Sequence, residues 1–139
     1  QFPEWELHCI GTGDLWEERT IHPKIFHHGF QQPHELVSFL EDAACFVMPS
    51  KKEPWGVVLH EMAIAGLPLL ASTRVGAATE FMNEQNGLSY DLGYLPETLE
   101  QLMSNSEQEL VEMGKKGHRI GTRITPRKWS ETLMRLVSS

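Results

Sequence analysis

The residues that could do chemistry lie close together. In Pro49-Ser50-Lys51-Lys52-Glu53-Pro54-Trp55-Gly56-Val57-Val58-Leu59-His60-Glu61-Met62-Ala63-Ile64-Ala65-Gly66, two carboxylates stand eight positions apart. Between them a Pro- and Gly-containing turn runs into an apolar stretch. A turn entering a helix leaves backbone N–H groups without acceptors at the positive end of the helix dipole, a place that binds anions, phosphates above all. Carboxylates beside such a place do the complementary task of accepting hydrogen bonds from hydroxyl groups. A nucleotide diphosphate sugar presents both kinds of group. On this reading the amides around Gly56, Val57 and Val58 face the diphosphate. Glu61, within the helix, lies within reach of a ribose, and Glu53, before it, nearer a transferred sugar. Taken as an isolated pair, the two glutamates are better read as a solvated turn residue and a satisfied helix residue, since short patterns recur by accident.

The elements that must position these residues are legible on both sides. Val57, Val58, Leu59, Met62, Ala63 and Ala65 wrap most of a helical circumference and predict a largely buried helix, stopped by Gly66 and Leu67-Pro68. Ala44–Met48 is apolar throughout and predicts a strand buried on both faces. Upstream, Trp5–Ile10 predicts a strand entering Gly11-Thr12-Gly13, a turn whose glycines allow close approach of the backbone to a ligand. A short helix over 15–19, a second strand over Ile25–Phe30 and a helix over 32–43 follow, the last from apolar positions at 36, 37, 39, 40 and 43. Downstream come a strand over 68–72, a turn and short helix over 73–82, and a further strand near Leu88. The rest is helical from about 96 to 139, ending in an amphipathic helix with Trp129, Leu133, Leu136 and Val137 on one face. Strands alternating with helices imply right-handed crossovers and a parallel sheet.

The text PSKKEPWGVVLHEMAIAGLPLLAS closely resembles the signature of family-4 retaining glycosyltransferases of the two-Rossmann-domain (GT-B) fold. Glu53 and Glu61 fill the two positions of its Glu-x7-Glu motif, and Gly66 and Pro68 those of its Ala-x-Gly-x-Pro. The similarity continues through Val75-Gly76, Glu80 and Asn86-Gly87-Leu88, although a Gly-Gly pair usual in the family is Gly76-Ala77 here. The resemblance implies a Rossmann-like three-layer α/β/α fold with a mainly parallel sheet, the second domain of a GT-B enzyme. It implies that residues 1–139 form one nucleotide-sugar-binding domain of a larger two-domain enzyme, lacking its first strand and helix, the diphosphate-binding Arg and Lys, and the acceptor domain.

The implied activity is transfer of a hexose from a nucleotide diphosphate sugar to an acceptor hydroxyl of a glycan, lipopolysaccharide or glycolipid, with the isolated segment inactive. Glu53 is the implied catalytic residue and sugar contact. Gly11, Gly13, Phe30, Gln31 and Glu61 are the implied nucleotide contacts, and Trp55, Gly56, Val57 and Val58 complete the substrate site. No Asp-x-Asp metal motif occurs, so the expected reaction needs no metal or cofactor. A nucleotide-sugar epimerase on the same fold and a non-catalytic nucleotide- or partner-binding module are the alternative readings.

Composition narrows the field. The chain has 139 residues, 40% hydrophobic and 22% charged, with a net charge of −7 that argues against nucleic acid as the main partner. Its histidines show neither CxxC-type nor HExxH spacing, and the adjacent His27 and His28 would point to opposite faces of a strand. Cys9 and Cys45 lie in apolar runs and read as free thiols of a cytosolic protein. Without a membrane-spanning run, the expected location is cytoplasmic, with the parent enzyme able to associate peripherally with a membrane.

Overall fold

The computed structural model describes residues 2–137. Among the described residues there are five strands and six α-helices, the last three helices in succession, and every ladder between named strands is parallel. They fall into two compact units, residues 1–42 and 43–139. Ser138 and Ser139, which the expected C-terminal helical region includes, lie outside the described residues.

In the first unit β1 (Leu7–Ile10) pairs with β2 (Ile25–Gly29), Leu7 opposite Ile25 and Cys9 opposite His27. A single 3-10 turn (Trp16–Glu18) lies between them, and α1 (Leu36–Glu41) follows. The helix expected from position 32 starts four residues later. The Glu35 carboxylate folds back to accept from the Gln32 N–H (2.6 Å), and the Glu35 N–H donates to the Gln32 carbonyl (2.9 Å), so the first expected turn closes on itself. Rings carry much of the cohesion. His8 lies 5.0 Å from Phe26 and stacks on His28 at 5.1 Å, with their nitrogens hydrogen-bonded at 3.0 Å. Phe39 packs on His28 at 4.6 Å, while His27, on the opposite face, meets the edge of Trp16 at 6.0 Å.

In the second unit β3 (Phe46–Met48), β4 (Leu69–Ser72) and β5 (Gly87–Tyr90) form a sheet with β4 in the centre. α2 (Val57–Ala65) joins β3 to β4, and α3 (Ala78–Phe81) joins β4 to β5. α4 (Leu95–Met103), α5 (Glu107–Gly121) and α6 (Pro126–Val137) complete the chain. Among the described residues the strands form three parallel ladders, one in the first unit and two in the second. The double burial expected of β3 belongs to β4, whose four residues are all buried; β3, at an edge, buries only Met48.

Asn86 fixes the entry to β5. It is fully buried, its amide donates to the Phe81 carbonyl (2.8 Å) and its oxygen accepts from the Asn83 N–H (2.7 Å). Gly87 follows because a Cβ there would overlap the Leu69 carbonyl across the ladder. Ser106 and Glu109 close a reciprocal capping box on α5. Its small residues Gly114, Gly117 and Gly121 then pass against α2 and the turn after it.

Candidate functional site

The turn from β3 into α2 is held at the level of the backbone. Gly56, the residue before α2, sits at φ +91°, a conformation open to glycine, and a Cβ there would press on Met48 Cε, Glu53 Cγ and Val75 Cγ1. It ends β3's loop so abruptly that α2 begins with no side-chain cap. The first-turn N–H groups of Val57 and Val58 have no helical acceptor, and no side-chain cap satisfies them.

Glu53 is anchored by its own main chain. Its N–H donates to the Arg74 carbonyl (3.1 Å), and its carbonyl accepts from the Gly76 N–H (3.0 Å). The result is a parallel bridge to Val75, and the Ala77 N–H adds a bond to the Trp55 carbonyl (2.7 Å). This stitching brings the segment 74–77 so close that a Cβ on Gly76 would overlap the Pro54 carbonyl. Of the Gly-Gly pair usual in the resembled family, the glycine retained here is therefore the one at this close approach. Ala77 is fully buried. The half-buried Glu53 side chain accepts from the Trp55 N–H (3.2 Å), which directs the carboxylate along the turn and leaves acceptor capacity for a ligand.

α2 is not the largely buried helix that its composition predicts. Leu59, Met62 and Ala63 are buried, while Val57 is 59% and Ile64 38% exposed. Glu61 is exposed on that same outward side, one turn after Val57. The helix is pinned from its other side. His60 stacks on Phe81 (ring centres 4.0 Å apart, 10° between planes), and its Nε2 is hydrogen-bonded to the Gly121 carbonyl at 2.8 Å. His118 Nδ1 is bonded to the Ile64 carbonyl at 2.5 Å. Phe81 also receives the edge of Trp55 at 6.2 Å.

Glu53, Trp55, Gly56, Val57, Val58 and Glu61 thus lie on one turn and one helix of the second unit. The other expected contacts lie in the first unit, at the carboxyl ends of β1 and β2. There the Gly11 N–H donates to the Gly29 carbonyl (2.6 Å), with Gly11 at φ +117° and Gly29 at +70°. Gly13 has open space around it, and its carbonyl accepts from the Trp16 N–H. Phe30 is 69% exposed, and Gln31 donates to the His28 carbonyl (2.8 Å). An exposed ring at a strand's carboxyl end is free to lie against a flat ligand.

Phe81, His60 and the α5 glycines escape sequence reasoning as parts of the site. The spacing of Gly114, Gly117 and Gly121 is visible as a small-residue face of a helix, but nothing local marks its partner. Among the described residues no three His, Cys, Asp or Glu side chains gather as a metal-ligating group, and no helix is long and apolar enough to cross a membrane.

Parallel strands joined by helices, with a glycine-shaped turn into α2, define a Rossmann-like α/β protein. Comparison with known proteins agrees: residues 1–120 match the family described as glycosyl transferases group 1, and the chain belongs to that family. It is 42% identical over 55 residues to a glycogen synthase of Mycobacterium tuberculosis (strain CDC 1551 / Oshkosh), a match covering 40% of this chain and 13% of that one.

Among solved structures the fold is shared with TarM (TM-score 0.79, 19% identity, 96% of this chain and 29% of that chain). Sucrose-phosphate synthase from Thermosynechococcus elongatus gives a TM-score of 0.73 at 20% identity, over 89% of this chain and 33% of that one. WaaG, a glycosyltransferase involved in lipopolysaccharide biosynthesis, gives 0.69 at 16% identity, over 84% and 34%. These are GT-B folds, and the matches span about a third or less of each relative's length.

Proposed function

We propose that the chain is the donor-binding half of a retaining glycosyltransferase, which moves a hexose from a nucleotide diphosphate sugar to an acceptor hydroxyl. The observation that carries this reading is the uncapped start of α2 beside a half-buried carboxylate, Glu53, whose backbone is bonded on both sides to the segment 74–77. Membership of the glycosyl transferases group 1 family supports it.

The Val57 and Val58 amides and the helix dipole oppose the negative charge that grows on the diphosphate as the sugar leaves. Glu53 accepts hydrogen bonds from sugar hydroxyls, with Trp55 beside it, and Glu61 accepts from the ribose. Gly11, Gly13, Phe30 and Gln31 serve the nucleoside. The leaving phosphate takes the proton of the acceptor hydroxyl, so this route asks for neither an enzyme nucleophile nor a metal.

The acceptor side belongs to a partner domain of the parent enzyme, without which the segment binds donor but does not turn over. The acceptor class is a glycan, lipopolysaccharide or glycolipid. The parent enzyme works in the cytoplasm, attached peripherally to a membrane.

Calorimetric titration with UDP, GDP and ADP and their sugars tests the reading. One nucleotide is expected to bind, and Glu61→Ala to weaken it roughly tenfold to a hundredfold, as for loss of a hydrogen bond to a charged group. In the full enzyme Glu53→Gln should lower transfer by a similar factor, and the product anomer should match the donor's. Unchanged affinity and transfer in both variants would sink the assignment.

A further inference from the structure

Trp55 stands in the turn before α2 with its backbone fixed and its ring at the surface, the residue being 48% exposed. Its N–H donates to the Glu53 carboxylate (3.2 Å), and its carbonyl accepts from the Ala77 N–H (2.7 Å). Neither bond sets the side-chain torsions. A large ring at the surface keeps its rotameric freedom unless a neighbour removes it, and a ligand that uses the ring then meets that cost on binding.

Phe81 is the neighbour. Its ring centre lies 6.2 Å from that of Trp55 with the planes 79° apart, a perpendicular pairing that aromatic quadrupoles favour. One short helix serves both parts of Trp55: Ala77, just before α3, holds the carbonyl, and Phe81, at the end of α3, meets the ring. Phe81 is buried and is itself set by His60, whose ring lies nearly parallel to it (10°) with the centres 4.0 Å apart. His60 in turn is fixed by Gly121. A carbonyl only accepts, so His60 Nε2 carries a proton and donates it to the Gly121 oxygen at 2.8 Å. The last carbonyls of a helix have no partner within it, and Gly121 ends α5, which leaves this oxygen open to His60. Three rings thus link the end of α5 to the turn that carries Glu53, all within the second unit.

We infer that His60 and Phe81 are positioning residues for Trp55, holding its ring in the orientation that receives the transferred sugar. The inference deepens the donor-site reading and rests on it. His60 acts on the sugar through Phe81 and Trp55, so loss of its ring is felt by the sugar and not by the nucleoside diphosphate. Plain packing makes no such distinction, because a loosened α2 would disturb the Val57 and Val58 amides and Glu61 as well.

Calorimetric titration of the full chain with UDP, GDP and ADP, each with and without its glucose, gives the ratio of the two affinities. His60→Gln keeps a donor for the Gly121 carbonyl and removes the ring. It should lower the ratio roughly twofold to tenfold, the worth of an aromatic pair, and leave affinity for the bare diphosphate unchanged. His60→Phe restores a ring and should restore the ratio. Trp55→Ala should lower the ratio by itself, and adding His60→Gln to it should lower it no further. Fluorine NMR of the fluorotryptophan-labelled chain follows the same brace without ligand. Of the four tryptophan signals, that of Trp55, identified by its loss in Trp55→Ala, should shift in His60→Gln and hold in His60→Phe. Equal weakening towards diphosphate and sugar conjugate, an unchanged ratio, additive losses in the double variant, or an unmoved Trp55 signal would overturn the inference. No binding of any of these probes by the unsubstituted chain would refute the donor-site reading, and this inference with it.

Discussion

The two units differ most in what lies inside them. Among described residues 2–42 none is buried, whereas the second unit contains Leu59, Leu69, Leu70 and Leu102 with no exposure at all. The first unit's parallel pair is held by stacked rings and hydrogen bonds close to solvent, and parallel strands seldom stand without cover on both faces. The second unit is built outward from β4. The difference matches the tasks proposed for each. A carboxylate that must meet particular hydroxyls needs fixed placement, which Glu53 draws from a bridge to the segment after β4. A flat base can be received by an exposed ring such as Phe30 on a softer support.

The largest expected effect would break the contrast by removing its core. Leu70→Ala should cost the second unit about 2–5 kcal/mol, whereas Val37→Ala, at a 55% exposed position of α1, should stay within about 0.5 kcal/mol. Denaturant titration read by hydrogen exchange would resolve the two units. Amides of β1 and β2 should exchange first, and equal protection in β1 and β4 would refute the contrast.

Gly114→Ala tests the clamp on α2. Its methyl would overlap the Gly66 carbonyl, and the repacking should cost about 1–3 kcal/mol, read as a lowered denaturation midpoint.

The smallest effect is confined to the first unit. Partial desolvation of the half-buried His28 holds it below its ordinary value, reinforced by the charges of His8 and His27, while Glu6 and Lys24 lie nearby, at His8. The unfolded chain therefore takes up this proton first as pH falls. The stability present above the ordinary histidine value, about 6.5, is lost as pH drops through the lower folded one. Amide protection in β1 and β2 should decline between about pH 7.5 and 5.5 while that of β4 holds, because histidine is the side chain titrating in that range. A parallel decline in both would remove the distinction.

Much of this was legible beforehand, for physical reasons. Pro54, Gly56, Gly66 and Pro68 punctuate the chain by backbone rules that act within a few residues, so the strand–turn–helix around Glu53 could be read directly. Burial around α2 could not. Val57, Ile64 and Leu59 look alike in a sequence, and only packing decides that Leu59 faces inward. His60 shows the limit most clearly. Its supports are Phe81, twenty-one positions on, and the carbonyl of Gly121, sixty-one positions on. A backbone carbonyl as partner leaves no residue type to recognise. The strand order of the second unit was hidden for a similar reason, since alternation of strands and helices gives parallel order but does not fix that β4 lies between β3 and β5.

The stitching of Glu53 to the segment 74–77 makes the signature non-portable. Residues 53–66 taken alone would lose the carbonyl of Arg74, the amides of Gly76 and Ala77, and the glycine face of α5 against which the helix rests. The smallest transplantable cassette is discontinuous in sequence: the turn and helix, the supporting turn and α3 over 74–81, and the α5 stretch from Gly114 to Gly121. A graft into another scaffold would have to carry all three, and a loop exchange that respects only the linear motif would move the letters without the site.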